Sequence, residues 1–144
     1  MYLLDTNVLS EMMKRPSLQN AAFRTWSMGQ RPGELFISSF SLSELYSGIY
    51  RLPRGKKRDM LYRTVKQIEA SFSTRILAFD ETSAEQFGII RERTERSGLS
   101  MDVADSYYLA AAEQHAATLV TRNTKHFVGR TELELINPWE TSVL

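Results

Sequence analysis

Short apolar runs alternate with longer segments of helical pattern along the whole chain, and this alternation is the strongest constraint on its fold. Met1 to Leu4, Leu35 to Ser38, Arg75 to Phe79, Thr118 to Thr121 and Leu133 to Ile136 read as strands, each a short apolar run bounded by turn residues. Between them the spacing predicts helices over Val8 to Lys14, Leu18 to Met28, Ser41 to Arg51, Arg58 to Phe72 and Met101 to His115. A further helix reaches Arg96, its start marked by Thr82 and Glu85 at capping-box spacing. Strands separated by helices are joined by crossovers rather than hairpins, which favours parallel pairing. The expectation is an α/β fold of three layers, a mainly parallel central sheet of about five strands flanked by helices. Sheets of this kind bind ligands at the carboxyl ends of their strands. The residues just after each strand are therefore the place to look for function.

The chain has 144 residues, which fits one domain over residues 1–144 with one hydrophobic core. There are no cysteines, which excludes disulfides, thiolate zinc sites and cysteine nucleophiles. No basic segment with an apolar stretch opens the sequence and no apolar run approaches membrane length, so a cytoplasmic protein without a membrane role is expected. The net charge of +1 does not mark a nucleic-acid binder, and any positive surface must be local.

Asp5 follows the first strand directly, Glu44 falls in the first turn of the helix after the second, and Asp105 in the first turns of the helix before the fourth. Each has a structural explanation on its own. Asp5 can cap the helix that follows it, and Ser41 with Glu44 matches a capping box. Asp105 is harder to assign to structure, because its neighbours one helical turn away include Met101, Tyr108 and Leu109. Asp102 adds a second carboxylate on the same helical face, a like-charge pairing that costs roughly 0.2–0.5 kcal/mol unless compensated. Two carboxylates about 5 Å apart in partly buried surroundings repel by roughly 3 kcal/mol at an effective dielectric near 20. Three together would take up a proton or bind a cation. Magnesium, with manganese as a substitute, suits an all-oxygen donor set of this kind.

The opening M-Y-L-L-D-T-N-V-L-S-E, the S-L-S-E-L-Y-S-G-I segment, the D-S-Y-Y-L-A-A-A helix, T-R-N-T-K-H-F and the closing I-N-P-W resemble, in order and spacing, the PIN-domain toxins of the VapC and FitB group. The resemblance implies a PIN-like parallel sheet flanked by helices. It also implies an Mg²⁺- or Mn²⁺-dependent endoribonuclease, in which a metal-activated water attacks RNA, within a type II toxin–antitoxin module. The family's first three acids fall on Asp5, Glu44 and Asp105, as catalytic and metal-binding residues; Asp102 stays an accessory candidate. The place of a fourth acid holds Asn123, which with Thr6 is a candidate for orienting a water or ligand. Homodimers are implied, silenced by a cognate antitoxin through which operator DNA is bound indirectly. Such an antitoxin is expected to insert a basic side chain among the carboxylates.

Arg51, Arg54, Lys56, Lys57, Arg58 and Arg63 form the one local basic cluster. Lys56, Lys57 and Arg58, with Arg122 at a strand end, are candidate RNA phosphate contacts, which position a polyanion without reading its sequence. Arg91, Arg93 and Arg96 alternate with Glu92 and Glu95 and read as an exposed helix face. The tyrosines and the two histidines read as packing or surface residues. Two other functions compete: a catalytically inactive PIN-fold binding module, and an aspartyl-phosphate phosphatase with Asp5 as nucleophile. The second lacks its general acid, because Asn7 stands two residues on.

Overall fold

A computed structural model describes residues 1–140; the last four residues of the expected domain lie outside the described residues. Five strands pair in parallel in the order β3-β2-β1-β4-β5. They are β1 (Tyr2–Leu4), β2 (Leu35–Ser38), β3 (Ile76–Leu77), β4 (Thr118–Val120) and β5 (Leu135–Ile136). Six α-helices connect them among the described residues: α1 (Thr6–Met12), α2 (Ala21–Met28), α3 (Ser39–Tyr50), α4 (Lys56–Ser71), α5 (Glu81–Arg96) and α6 (Val103–Gln114).

The alternation of side chains along the strands builds two cores, one on each face of the sheet. Leu4, Leu35, Ile37 and Val120 pack with Val8, Leu9, Phe23, Leu42, Leu45, Ile49 and Val65 from α1 to α4. Leu3 and Leu119 point the other way, onto Ile90 of α5 and Leu109 and the alanines of α6. The chain moves outward from β1 to β3 and then returns to the other side of β1. Right-handed crossovers on that path send the first four helices to one face and the last two to the other. The strand order reverses between β1 and β4, leaving a crevice at their carboxyl ends. Asp5 stands at that point, and its amide extends the β1–β4 pairing by donating to the Val120 carbonyl at 2.9 Å.

Several expected boundaries shift for identifiable reasons. The helix expected from Leu18 begins at Ala21, because the Asn20 side chain caps it by accepting from Phe23 N, while Pro16–Leu18 form a separate turn of 3-10 helix. Ser38, not Ser41, caps α3, so Ser41 and Glu44 form no capping box and Glu44 stands in the second turn. Asp80 and Ser83 make the reciprocal box that starts α5, in place of Thr82 and Glu85. Aspartate outcompetes the threonine because its charged oxygen accepts from both the Ser83 amide and hydroxyl, each at 2.9 Å. Arg91 and Arg93 are not an exposed face. Arg91 donates to the Met101 carbonyl at 2.6 Å, and Arg93 makes a two-pronged pair with Glu113 of α6 at 3.0 and 2.7 Å. Only Arg96, paired with Glu92, keeps the expected exposed position.

Candidate active site

The site is built from Asp5 outward. Asp5 sits at the N-cap of α1 in extended backbone, and its side chain is only 6% exposed. One carboxylate oxygen accepts from the Thr6 amide at 2.7 Å. The other accepts from the buried Thr121 hydroxyl at 2.7 Å and from the Asn7 side-chain amide at 3.3 Å. Burial pushes the Asp5 carboxyl above the ordinary aspartate range; the Thr121 and Thr6 donors oppose the rise, while the charges of Asp105 and Glu44 add to it. A cap alone would not place two more acids in electrostatic contact with this carboxylate.

Glu44 reaches the same edge from α3, half-buried. Thr6 Oγ1 donates to Glu44 Oε1 at 2.7 Å, and the Tyr108 hydroxyl donates to the same oxygen. Tyr108 and Thr6 also meet through their hydroxyls, and Ser41 Oγ donates to Tyr108 at 3.2 Å. One cluster of hydroxyls thus ties α1, α3 and α6 together beneath the carboxylates. Tyr108 is 2% exposed, and burial first, then the charge of Asp5, raises its pKa, so its proton stays available to Glu44.

Asp105 lies in the first turn of α6, and its Oδ2 is 3.1 Å from His126 Nδ1. Desolvation raises its carboxyl above the usual range, His126 opposes the rise, and Asp102 and Glu44 add to it. Asp102 itself is exposed at the N-cap of α6, with no cap hydrogen bond from its side chain. It is a neighbour of Asp105 rather than a member of the cluster. Asn123 contributes its backbone, donating from N to Thr121 Oγ1 at 3.1 Å. Thr6 is bound into the site by both its amide and its hydroxyl.

Lys56, Lys57 and Arg58 lie in the first turn of α4, away from this cluster, where Arg58 rests over the Tyr50 ring at 4.9 Å. Among the described residues the cations of the 51–63 segment make no ion pair with a carboxylate. Arg122 stands at the rim of the site, exposed, its amide donating to Asn7 Oδ1 at 3.1 Å.

Three residues that matter here were hidden in the sequence: Tyr108, His126 and Thr121. Tyr108 carries one signal, standing three residues after Asp105 and therefore on the same helical face. Thr121 stands directly after β4, at an expected strand end, while His126 closes a 3-10 turn whose path only the fold determines.

A match to the PIN domain family covers residues 2–129. The chain belongs to the PIN-domain family. Toxin FitB of Neisseria gonorrhoeae is 36% identical to this PIN domain over 140 residues, covering 96% of the chain and 99% of the relative. VapC ribonuclease Y4jK of Sinorhizobium fredii is 30% identical over 141 residues, covering 97% of the chain and 99% of the relative. Among solved structures, FitAB bound to a DNA fragment superposes with a TM-score of 0.90 at 33% identity, covering 99% of this chain and 98% of that one. Membership carries the five-stranded parallel PIN fold with it. Among the described residues no helix of this PIN domain is long and apolar enough to cross a membrane.

Proposed function

We propose that this PIN domain is the toxin of a type II toxin–antitoxin pair and acts as a metal-dependent endoribonuclease. The observation that carries the reading is the placement of Asp5, Glu44 and Asp105 toward one edge of the sheet: Thr6 bonds Asp5 through its amide and Glu44 through its hydroxyl, and Tyr108 ties Glu44 to α6, which carries Asp105 in its first turn. The similarity to a FitB toxin and a VapC ribonuclease over nearly the whole chain supports it.

Among the described residues, no three acidic or histidine side chains stand close enough as placed to hold a metal ion. The fit to a hard dication rests on donor chemistry. All three candidate groups are carboxylates, and desolvation and like charge disfavour the anions of Asp5 and Asp105, a cost that a cation would offset. Among the described residues no hydrogen bond reaches Glu44 Oε2 or Asp105 Oδ1, so each keeps an oxygen for a ligand while the other is held by Tyr108 and Thr6 or by His126. Asp5, Glu44 and Asp105 would hold Mg²⁺ or Mn²⁺, which supplies Lewis acidity and offsets charge developing on a scissile phosphodiester. The chain's own part is positioning. Thr121, Asn7 and the Thr6 amide fix Asp5, Tyr108 and Thr6 fix Glu44, and His126 orients Asp105.

Lys56, Lys57 and Arg58 are available to RNA phosphates, and the reading assigns the chain a homodimer and a cognate antitoxin that contacts operator DNA. The test is cleavage of RNA with Mg²⁺ or Mn²⁺ by the purified chain and by Asp5→Asn. The expected result is cleavage by the first alone; equal activity in both ends the proposal. The rival reading is an inactive PIN-fold binding module. Calorimetric titration with Mn²⁺ separates them, since only the nuclease must bind it. The phosphatase reading has no support, because Asn7 offers Asp5 an amide and no transferable proton.

A further inference from the structure

The T-R-N and I-N-P-W motifs meet in space at the rim of the site. Arg122 follows Thr121 out of the crevice, and both of its backbone polar groups are tied. Its amide donates to Asn7 Oδ1 at 3.1 Å, and its carbonyl accepts from Asn137 Nδ2 at 3.1 Å. Asn137 is fixed in turn by accepting from the Trp139 amide at 3.0 Å. Trp139 packs against Phe23 of α2 with ring centres 5.1 Å apart, and the Arg122 guanidinium lies over the Trp139 ring, 5.3 Å from its centre. Asn7 alone separates the Arg122 amide from the Asp5 carboxylate.

This arrangement decides what the guanidinium can do. A guanidinium over an indole uses the weak attraction of the ring face and keeps its N–H donors for other partners. Arg91, Arg93 and Arg96 are all paired with glutamates, and Arg75 and Arg130 donate to backbone carbonyls. Among the described residues Arg122 has no carboxylate within 4.0 Å, and no hydrogen bond uses its side-chain nitrogens. The buried Glu11, which feels its charge, is already taken by Lys14 at 2.8 Å and the Asn20 amide at 2.7 Å. The side chain is exposed, yet its backbone is pinned on both sides.

We infer that Arg122, held over Trp139, is a substrate-binding residue that grips a phosphate of the RNA strand beside the carboxylate cluster. A forked cation is the natural partner of a phosphate. Its backbone is tied to Asp5 through Asn7, which would set the register of the strand, whereas the cations of α4 attract the strand without fixing it. The inference rests on the proposed nuclease reading.

The test measures the affinity of a labelled single-stranded RNA for the full chain in EDTA, over about 50–200 mM salt, where each phosphate contact contributes about 0.7 to the slope of log affinity against log salt. Arg122→Ala is expected to lower the slope by about one contact and the affinity by several-fold. Arg122→Lys should restore the slope but not the full affinity, because lysine is a point charge without the fork. Trp139→Leu should weaken binding with the slope unchanged. In cleavage assays the Arg122→Ala defect should appear in KM rather than kcat. An unchanged slope for Arg122→Ala overturns the inference, whether the variant loses thermal stability or antitoxin affinity instead. So does a wild-type chain with no affinity for RNA. A wild type that binds RNA through Arg122 but cleaves none with Mg²⁺ or Mn²⁺ would sink the nuclease reading and leave the phosphate contact standing.

Discussion

Thr121→Val isolates the hydroxyl that holds Asp5. The substitution keeps the shape of a side chain that is fully buried, so packing around β4 changes little. What disappears is a hydrogen bond of 2.7 Å to a carboxylate, together with the acceptor for the Asn123 amide and for the Asn7 side-chain amide at 3.4 Å. A hydrogen bond to a charged group contributes roughly 1.5–3 kcal/mol, and the half-buried Asn123 amide can turn to water at little further cost. We expect a loss of about 2 kcal/mol at neutral pH. That corresponds to a fall of about 8 °C in Tm for a domain of this size, or a shift of about 1 M in a urea midpoint.

The pH dependence makes the prediction specific. The Thr121 bond favours the charged form of Asp5 and so opposes the upward push of burial. Removing it raises the folded-state carboxyl further above its ordinary value of 3.8. A carboxyl raised on folding destabilises the protein above its folded pKa, and this cost is relieved as pH falls through that value. The gap between wild type and variant should therefore be full at pH values above the variant's Asp5 pKa and narrow on acidification. Urea unfolding of both proteins at matched pH values cancels titrations common to the two. Equal midpoints at neutral pH, or a gap that widens toward acid, would refute the assignment of this bond.

Asp5→Asn should raise thermal stability in EDTA by about 1 kcal/mol, since it removes a desolvated charge in the field of two others; the same variant should lose any stabilisation that Mn²⁺ gives the wild type. Differential scanning fluorimetry with and without Mn²⁺ checks both, and a destabilised variant in EDTA contradicts the electrostatic account. Tyr108→Phe keeps the ring and deletes the hydroxyl that holds Glu44, so Mn²⁺ affinity should fall by about 10–100-fold, the usual effect of losing a residue that orients a ligand. Calorimetry reads it, and unchanged affinity would show that Glu44 needs no such support.

The parallel sheet and the position of the three acids were legible because they follow from local pattern. An apolar run that stops at Asp5, Ser38 or Thr121 marks a strand end, and the crossover rule then places those ends on one edge. Helix starts were less legible. Asn20, Ser38 and Asp80 won their caps by side-chain geometry that neighbouring Ser41 or Thr82 could have supplied equally well on spacing alone. Arg91 and Arg93 misled for a different reason. Alternating charge along a helix looks solvated, but the preceding sequence gives no hint that Glu113 and the Met101 carbonyl lie opposite. Tyr108 and His126 reach the site through tertiary contacts, Tyr108 to residues 64 and 102 positions away and His126 to one 21 positions away, and no local pattern reports such contacts.

The same contacts explain how the fold tolerates three acids at one edge of its sheet. Three carboxylates at one sheet edge would drive the elements that carry them apart, since β1, α3 and α6 each present a negative charge toward the others. The fold answers with neutral donors. Thr121 and Asn7 bind Asp5, Thr6 and Tyr108 share Glu44, and Ser41 locks Tyr108. Neutral hydroxyls steady an anion without cancelling its charge, which an arginine in the same place would do. His126 is the partial exception, since protonation would let it neutralise Asp105. A cluster held this way keeps its negative charge, which the proposed metal-dependent reading requires, while costing less stability than bare repulsion would.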